Sequence, residues 1–569
     1  MSSFIAQKTQ GVKGSDVYTS SGEPLVDLSV KMVRGADKIE VSRIVAHLME
    51  SPTPLAVEDT FVLAFHTRAV RGGKGERELF SHVLSALVEA RPELTLAVMD
   101  LVPGFGSWGD LCRLAESCPA LRARSVELFK AQLERDQTNA DAGAGSLSLA
   151  AKWAPREGKS HNALAVELAK LMFPAEPKRS LALYRKLVSS LNARLKTVET
   201  MMCGGRWAEI QPQAVPGRAG KLYARALLNL VGAKREGEFI ACDARDKLRR
   251  PEDADRMACR EHFVNHFALA KEGKAIVHGC DTLFPHEVVQ KARMQGPQLS
   301  ESERSQLIAV WRSMVDKAKA LGGLKRTIFM SDFSGSMGDA HSTGATPYWV
   351  SMGLGMLGAE VSEGAFHNRL MTFDSTPTWH TFPEGGDLFS KLETLAPHIG
   401  QGTSTDFQKA MDLVLATLKA QRVQPGDEPE NLVVLTDMGW DQAAASNGQG
   451  AFTGNTYRHH VKTAPWQSHV EMIRESFKRA GEDMWGEGRG FAMPRIVIWN
   501  LASTYSSDFH ATADTPGVAL LSGWSPALFE VLQSEGPREL TPMEVLRIEL
   551  TNPRYDEVRE RVRAFHQGS

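Results

Sequence analysis

Apolar residues at helical spacing dominate the first half of the chain. They predict one helix that is capped by Glu58-Asp59-Thr60 and stopped by Gly72-Gly73. A second amphipathic helix is predicted over residues 181–203, where steps of four, four, three and four place one stripe on Leu187, Leu191, Leu195, Val198 and Met202. No strand-like alternation of comparable length precedes residue 324. The pattern predicts an all-α array of HEAT-like helix pairs, although no strict sequence period is visible.

The pattern changes near Leu321-Gly322-Gly323. Short apolar runs then predict strands at Leu324–Met330, Leu370–Phe373, Leu432–Leu435 and Ile496–Trp499. Helical stretches separate them, at about 348–359, 406–420 and 466–480. Strands that alternate with helices predict a doubly wound α/β sheet with helices on both faces. The predicted organisation is an N-terminal extension (1–24), a helical repeat domain (25–323) and an α/β domain (324–569).

Composition excludes several classes of protein. The chain has 569 residues, of which 42% are hydrophobic and 24% charged, as expected of a soluble protein with more than one domain. No apolar run reaches 18 residues, so we expect no membrane span, and the first residues do not resemble a secretory signal. The 6 Cys are never spaced CxxC, which argues against a zinc ribbon or a disulfide scaffold and favours a cytoplasmic location.

Charge is distributed unevenly along the chain. Residues 1–323 hold 46 Lys+Arg against 38 Asp+Glu, whereas residues 324–569 hold 20 against 30. The excess is greatest in residues 151–250, with 20 basic against 9 acidic residues. This asymmetry indicates either a polyanion-binding half or an ordinary solvated helical surface.

Hydroxyl and carboxylate side chains follow the predicted strands. Asp332, Ser334 and Ser336 form a D-x-S-x-S run after the first strand, and Asp437 ends the strand Leu432–Leu435. Gly402-Thr403-Ser404-Thr405-Asp406 opens a predicted helix. These are hard oxygen donors, as Mg²⁺ requires, at the edge of an open α/β sheet where ligands gather. The plain alternative is a Ser/Gly-rich turn in which the Asp caps a helix.

This pattern resembles the metal-ion-dependent adhesion site (MIDAS) of von Willebrand factor A (vWA) domains. The resemblance implies that Ser334, Ser336 and Thr405 bind Mg²⁺ directly, and that Asp332 and Asp437 bind it directly or through water. Mn²⁺ or Ca²⁺ are alternative cations. Thr403 is a rival for the place of Thr405, because the usual Gly-Gly-Thr is interrupted in this sequence. One coordination position would stay open for an acidic group of a protein partner.

Further motifs resemble the Ro autoantigen, or TROVE, proteins, and above all a TROVE-like family known only as a domain of unknown function. The residues that carry this resemblance are Arg71–Arg77, Val102–Leu111, Leu149–Trp153, Tyr184–Leu187, Met202–Trp207, Ile498–Leu501 and Leu521–Ser525. The resemblance implies a basic helical ring that binds small non-coding or misfolded RNA, joined to a vWA-like domain. The residues that we expect to contact RNA all lie in the basic segment: Lys152, Arg185, Lys186, Arg194, Lys196, Arg218 and Lys221.

Two functions follow as hypotheses. In the first, the protein is a non-enzymatic ribonucleoprotein component, with RNA on the helical half and a protein partner at the metal site. In the second, it is a protein-interaction scaffold that binds acidic groups and never meets RNA. A metal-dependent hydrolase is a weaker third, since no catalytic His/Asp partners or paired carboxylates stand out. Gly72-Gly73-Lys74-Gly75 is not a Walker motif, and no small-molecule substrate is evident.

Overall fold

The computed structural model describes residues 4–143, 145–231, 246–338, 344–373, 376–395, 407–440, 466–533 and 539–568. The chain divides into two compact units. The helical unit comprises Lys38–Leu283, Pro297–Ser313 and Leu550–Ser569. The sheet unit comprises Met1–Asp37, Phe284–Gly296 and Met314–Glu549. A mostly helical N-terminal region and a C-terminal α/β region are therefore confirmed.

Helices and strands are numbered separately in chain order. The helices before residue 321 are α1 (Pro24–Lys31), α2 (Lys38–Met49), α3 (Pro54–Arg68), α4 (Arg77–Ala90), α5 (Pro92–Ala97), α6 (Val102–Phe105), α7 (Trp108–Ser117), α8 (Pro119–Asp141), α9 (Ala150–Trp153), α10 (Asn162–Met172), α11 (Ser180–Leu195), α12 (Val198–Cys203), α13 (Gly217–Leu222), α14 (Ala224–Leu227), α15 (Ala254–Lys271), α16 (Pro285–Gln295) and α17 (Glu301–Ala320). The later helices are α18 (Pro347–Val361), α19 (Leu388–Leu395), α20 (Phe407–Ala420), α21 (Trp466–Trp485), α22 (Phe529–Gln533), α23 (Pro542–Leu550) and α24 (Asp556–Gly568). The strands are β1 (Lys8–Gln10), β2 (Asp16–Tyr18), β3 (Thr327–Asp332), β4 (Arg369–Phe373), β5 (Trp379–Thr381), β6 (Asn431–Thr436), β7 (Arg495–Asn500) and β8 (Val518–Ser522).

The boundaries of the two units differ from the predicted domains, because each unit is built from several separate segments of the chain. Residues 25–37, 284–296 and 314–323 belong to the sheet unit, and residues 550–569 belong to the helical unit. Hydrogen bonds explain part of this division. Asn500 and Ser522, at the ends of β7 and β8, donate to the carbonyl oxygens of Val30 and Ser29 in α1. The predicted N-terminal extension is likewise part of the sheet unit, where β1 and β2 form an antiparallel hairpin.

Two predicted helix boundaries are wrong. α3 begins at Pro54 rather than after Thr60, so Glu58 and Asp59 lie inside the helix and are buried. The helix predicted over 181–203 is two helices, because Lys196 adopts a left-handed backbone with φ 47°. The hydroxyl of Thr197 then accepts a hydrogen bond from the Thr200 amide and starts α12.

The helical unit buries ion pairs between distant segments. In α24, the Arg559 guanidinium contacts the carboxylate of Glu58 and lies 3.0 Å from Asp59 Oδ1. It also donates to the carbonyl oxygen of Leu550. The Arg559, Glu58 and Asp59 side chains are all less than a tenth exposed. This network attaches the last helix of the chain to α3, which lies about 500 residues earlier.

The main sheet has the strand order β5-β4-β3-β6-β7-β8. All neighbouring strands are parallel except β5, which pairs with β4 in the antiparallel direction at the edge. Every residue of β3, β6, β7 and β8 is buried, as expected when both faces of a parallel sheet are covered. The predicted strands are confirmed, whereas the sequence pattern does not predict β1, β2, β5 and β8.

Helix α18 packs closely on this sheet through glycines. A Cβ atom at Gly355 would overlap the Ser331 side chain of β3, and one at Gly358 would overlap the ring of Phe329. A Cβ atom at Gly353 would meet the backbone of His286, at the start of α16. These contacts fix β3, and with it the loop that follows Asp332. In the described residues, no helix combines the length and hydrophobicity that crossing a membrane requires.

The Arg559 network gives a stability prediction. Arg559→Ala should lower the free energy of unfolding of the helical unit by about 3 kcal/mol, because it removes the buried guanidinium that joins Glu58 to Asp59, and the half-exposed Arg563 then pairs with Glu58 alone. Urea unfolding of the full chain would measure this change. Arg561→Ala is the matched control on the same helix, since its pair with Asp100 is about one-third exposed. The control should cost less than about 1 kcal/mol. Equal losses in both variants would contradict the prediction.

Candidate metal centre and basic residues

The candidate metal ligands lie at the carboxyl ends of two adjacent strands. Asp332 is the last residue of β3, and Asp437 directly follows β6. The two strands are parallel and pair Ser331 with Leu435, so their ends meet at one edge of the sheet. The chain runs outwards from β3 in one direction to β4 and in the other to β6. Ligands of open α/β sheets bind at such a switch point.

The loop after β3 turns its polar atoms towards one another. Asp332 Oδ1 accepts a hydrogen bond of 2.8 Å from the Ser334 amide, and Asp332 Oδ2 accepts one of 3.1 Å from Thr436 Oγ1. The Ser334 and Ser336 hydroxyl oxygens are 3.1 Å apart. Asp332 and Ser334 are buried, and Ser336 is half-buried. One carboxylate and two hydroxyls therefore lie side by side at the end of β3.

Asp437 supplies the second carboxylate. Its Oδ1 atom accepts a hydrogen bond of 3.0 Å from the Gly439 amide. Its Oδ2 atom is buried and has no hydrogen-bond partner in the described part of the chain. The backbone between these residues is left-handed at Met438, with φ 74°. A buried carboxylate oxygen without a donor is the atom that a bound cation would satisfy.

The two carboxylates act on each other electrostatically. Burial, and then the negative charge of Asp437, raise the pKa of the Asp332 carboxyl to about 7, while hydrogen bonds from Ser334 and the charge of Lys13 act in the opposite direction. A divalent cation between the two acids would offset this repulsion and favour the ionised form of Asp332.

Aromatic residues pack beside the loop that contains Asp437. The Trp440 ring stacks on His510 at 3.9 Å between centroids, and on Phe407 at 5.0 Å. Burial lowers the pKa of His510 to about 4, so its imidazole is neutral. His510 Nε2 lies 2.7 Å from the Met438 carbonyl oxygen, to which it donates, because a carbonyl oxygen can only accept. This contact supports the left-handed turn beside Asp437.

The structure brings together Asp332, Ser334, Ser336 and Asp437 of the predicted ligands. Thr403 and Thr405 lie outside the described residues, so the choice between them stays open. Sequence reasoning missed Thr436, whose hydroxyl binds Asp332, and Lys13, whose ammonium lies 3.0 Å from Ser336 Oγ. Pairing of β3 with β6 places Thr436 next to Asp332, but the sequence around Lys13 carries no signal of its position.

This set of side chains fits a hard cation. Two carboxylates and two hydroxyls are oxygen donors of the kind that Mg²⁺, Mn²⁺ and Ca²⁺ bind. Across the described ranges, no three His, Cys, Asp or Glu side chains gather at a single point that could hold a metal ion. His459-His460 has no Cys or carboxylate at ligand spacing in the sequence, so we do not expect it to bind zinc, and it lies outside the described residues.

The seven predicted RNA contacts do not share one face. On α11, Arg185 pairs with Glu157 and Arg194 donates to the Ala140 carbonyl oxygen. Arg194 follows Arg185 by nine positions, which places the two on opposite sides of the helix. Lys152 is engaged by Glu199 at 3.4 Å. The remaining four, Lys186, Lys196, Arg218 and Lys221, are exposed.

Only Arg218 lies in a described cluster of arginines, which we call the Asp110 cluster (Arg68, Arg77, Arg113 and Arg218). Asp110 is buried, and its Oδ2 atom accepts a hydrogen bond of 2.6 Å from the equally buried Arg68. Arg77 Nε is 3.4 Å from Asp110 Oδ1. Burial lowers the pKa of Arg77, Asp110 raises it, and the charges of Arg68, Arg113 and Arg218 lower it further.

Sequence reasoning missed the cluster because its members are far apart in the chain. Arg77 ends a glycine-rich turn whose sequence is typical of a mobile basic helix end. Instead, Lys74 in that turn is buried, and the amides of Lys74 and Glu76 bond to the carbonyl oxygens of His66 and Thr67 in α3. The turn therefore places the start of α4, and Arg77 with it, against α7.

Comparison with known proteins finds a family model that matches part of the chain, and two proteins that align with most of it. A domain of unknown function, DUF7788, matches residues 326–561. "Uncharacterized protein L728" of Acanthamoeba polyphaga mimivirus is 24% identical over 557 residues, which cover 94% of this chain and 85% of that protein. The crystal structure of the Deinococcus radiodurans Ro (RSR) protein aligns with 89% of this chain and 92% of its own, at 15% identity and a TM-score of 0.34. A score this low does not establish a common fold.

The paired acids give a prediction about pH and metal. Because the folded protein holds the Asp332 proton up to about pH 7, the metal-free protein should lose stability as pH rises from about 4 to 7. Mg²⁺ should therefore raise the unfolding midpoint more at pH 8 than at pH 6. Asp332→Asn should raise the midpoint in chelator at pH 8 and should weaken Mg²⁺ binding by about a hundredfold or more.

Thermal unfolding and isothermal titration would measure these effects. Asp427→Asn is the matched control, because Asp427 is an exposed carboxylate of the same unit. It should leave both the midpoint and Mg²⁺ binding unchanged. Unaltered Mg²⁺ binding in Asp332→Asn would refute the ligand assignment.

Proposed function

We propose that this protein is a non-enzymatic RNA-binding protein of the cytoplasm that also docks an acidic protein partner at a divalent cation. The helical unit binds small non-coding or misfolded RNA as part of a ribonucleoprotein. The sheet unit holds Mg²⁺, or Mn²⁺ or Ca²⁺, on Asp332, Ser334, Ser336 and Asp437, with Thr405 or Thr403 as a further ligand.

The arrangement at the carboxyl ends of β3 and β6 supports the cation site. Asp332 and Asp437 are both fully buried, and the Asp437 Oδ2 atom lacks a described hydrogen-bond donor. When bound, the cation supplies a Lewis-acidic position at which a carboxylate of another protein can complete the coordination. The role of the chain is to hold two acids and two hydroxyls in place, which Ser334, Thr436 and Gly439 do through their hydrogen bonds.

The strand order supports a vWA-like interpretation of the sheet unit. Counted from β3, the order is third, second, first, fourth, fifth and sixth, with the third strand antiparallel at the edge. We infer that the D-x-S-x-S loop serves as a MIDAS. We also propose that the helices of the helical unit form a HEAT-like ring.

The observation that carries RNA binding is the Asp110 cluster. Arg68 and Asp110 neutralise each other in the interior. Arg77 and Arg218 are exposed and Arg113 is half-buried, with Glu78, itself almost fully exposed, as a distant partner of Arg113 at 3.9 Å. Arg113 and Arg218 act on Arg77 as like charges, beside an acid that Arg68 already pairs, so the cluster carries an excess of positive charge. Arginine binds phosphate through paired hydrogen bonds, so a phosphodiester backbone is the polyanion that this cluster fits.

The second candidate function, a scaffold that binds acidic groups without RNA, is favoured by the pairing of the predicted contacts. Glutamates neutralise Lys152 and Arg185, which lowers the positive charge available to RNA. The two functions make different predictions for the exposed arginines of the Asp110 cluster. They agree on the cation site.

RNA binding should depend on the Asp110 cluster. Changing Arg77 and Arg218 to Gln together should weaken binding of a labelled RNA hairpin about tenfold or more, because two phosphate contacts are lost. The slope of affinity against salt concentration, on logarithmic axes, should also decrease by about 2. Fluorescence anisotropy over a range of salt concentrations would measure both quantities.

Arg179→Gln is the matched control for charge. Arg179 is exposed, lies with Arg218 in the basic segment 151–250 and pairs locally with Glu176. It should change RNA affinity by less than about twofold. If the double variant binds RNA as tightly as this control, RNA does not use the cluster, and undetectable RNA binding by the unmodified chain would favour the scaffold.

Docking of an acidic group should be visible on a paramagnetic cation. Mn²⁺ bound to the full chain should enhance the relaxation of water protons. A short peptide with a central aspartate should reduce this enhancement, since its carboxylate replaces bound water. The same peptide with asparagine is the control and should have no effect. Equal behaviour of the two peptides would argue against an open docking position.

A further inference from the structure

The hairpin of β1 and β2 places its tip beside the candidate metal centre. Lys8 pairs with Tyr18 and Gln10 with Asp16 across the hairpin, and Gly14, with φ 89°, allows the tight turn between them. The Gly11 amide donates to the Ser15 carbonyl oxygen at 2.8 Å and closes the tip. The tip is therefore a short, ordered loop that presents Val12 and Lys13.

Backbone contacts anchor this hairpin to the sheet unit. The Tyr18 amide donates to the Phe509 carbonyl oxygen at 2.7 Å, and the Phe509 amide donates back to Tyr18 at 3.1 Å. The Val12 amide donates to Asp508 Oδ2, also at 3.1 Å. Both strand β2 and the tip are thus held by residues 508 and 509, which lie next to His510 behind the Asp437 loop.

Lys13 extends from the tip into the centre. Its ammonium donates a hydrogen bond of 3.0 Å to Ser336 Oγ and lies 5.3 Å from the centroid of the Tyr505 ring. Tyr505 in turn packs on Gly439, where a Cβ atom would overlap the ring. The Gly439 amide binds Asp437. The ammonium therefore contacts the first loop of the centre directly and the second through one aromatic ring.

We infer that Lys13 and a divalent cation exclude each other at Ser336, so that the β1–β2 hairpin is a latch which cation binding releases. The inference rests on the metal centre proposed above and adds its regulation. In the closed state, the hairpin covers the side of the centre at Ser336. When the cation binds, Lys13 leaves Ser336 and the tip moves away from the face on which an acidic partner would dock.

Electrostatics supplies the reason for this exclusion. A metal ligand must point a lone pair of electrons at the cation, and Mg²⁺ binds oxygen at about 2.0–2.1 Å. An ammonium group 3.0 Å from the same Ser336 oxygen would then lie within a few ångströms of the bound ion. Two positive charges so close repel each other strongly where burial limits screening by water. Lys13 is half-buried beside Ser336, so screening is incomplete.

Cation affinity is the first test. Lys13→Met keeps the length and apolar stem of the side chain but removes its charge, and should tighten Mg²⁺ binding to the full chain about tenfold in isothermal titration. Lys13→Arg keeps the charge and should bind Mg²⁺ like the unmodified chain. Lys8→Met is the matched control, because Lys8 is an exposed lysine of the same hairpin, in strand β1 rather than at the tip.

Hydrogen exchange followed by mass spectrometry is the second test. Amides of residues 11–18 should exchange faster when Mg²⁺ is added to the unmodified chain. In Lys13→Met they should exchange fast both with and without Mg²⁺. Slower or unchanged exchange on Mg²⁺ binding would overturn the latch, as would equal Mg²⁺ affinities of Lys13→Met and Lys8→Met.

These outcomes separate the latch from the proposed centre. If all variants bind Mg²⁺ with the affinity of the unmodified chain, the centre stands and the latch is wrong. If neither the unmodified chain nor any variant binds Mg²⁺, Mn²⁺ or Ca²⁺, the centre is wrong and the latch falls with it.

Discussion

The burial of two carboxylates at the ends of neighbouring strands is the constraint on which the sheet unit depends. Asp332 and Asp437 are each fully buried, and the charge of Asp437 raises the pKa of the Asp332 carboxyl. A carboxyl group in a protein interior either carries a proton or is ionised beside a counter-charge. The two acids follow adjacent, fully buried strands, and the glycines of α18 pack against β3, so the backbone holds Asp332 and Asp437 at the same edge of the sheet. The acids must therefore be neutralised where they stand.

Two other buried acids of the chain, Asp110 and Glu360, are neutralised by cationic side chains. Asp110 has Arg68 at 2.6 Å, and Glu360 has Lys391 at 2.6 Å, with all four side chains less than a tenth exposed. In each pair, the opposite charges neutralise each other within the protein. Asp332 and Asp437 differ because their described donors are amides and hydroxyls, apart from the distant charge of Lys13. Asp332 and Asp437 therefore lack the adjacent cationic side chain that Asp110 and Glu360 have in the described part of the chain.

Sequence reasoning succeeded where the determining interactions are local. Strands β3, β4, β6 and β7 are short apolar runs that must be buried on both faces, and the acids that follow them end at the same edge of the sheet. It failed for β5, whose three residues have no distinctive pattern. It failed again at Lys196, where a left-handed residue divides one apolar stripe into two helices.

The sequence analysis missed the remaining features because the residues that form them are far apart in the chain. Arg68, Arg77, Arg113 and Arg218 come from four segments, so no count of charge over a window could unite them. The charge count instead selected the basic segment 151–250, in which glutamates pair with two of the predicted RNA contacts, Lys152 and Arg185. Lys13 is one lysine in a short hairpin, and only the pairing of Tyr18 with Phe509 shows where its ammonium lies.

The return of α24 to the helical unit has a consequence for synthesis on the ribosome. Residues 38–283 emerge before residues 314–549 of the sheet unit, yet Glu58 and Asp59 of α3 receive Arg559 only after those residues have left the exit tunnel. Until then the nascent helical unit carries two acids without their guanidinium and an uncovered face of α3. The helical unit is therefore complete only when α24, which is made hundreds of residues after α3, has emerged.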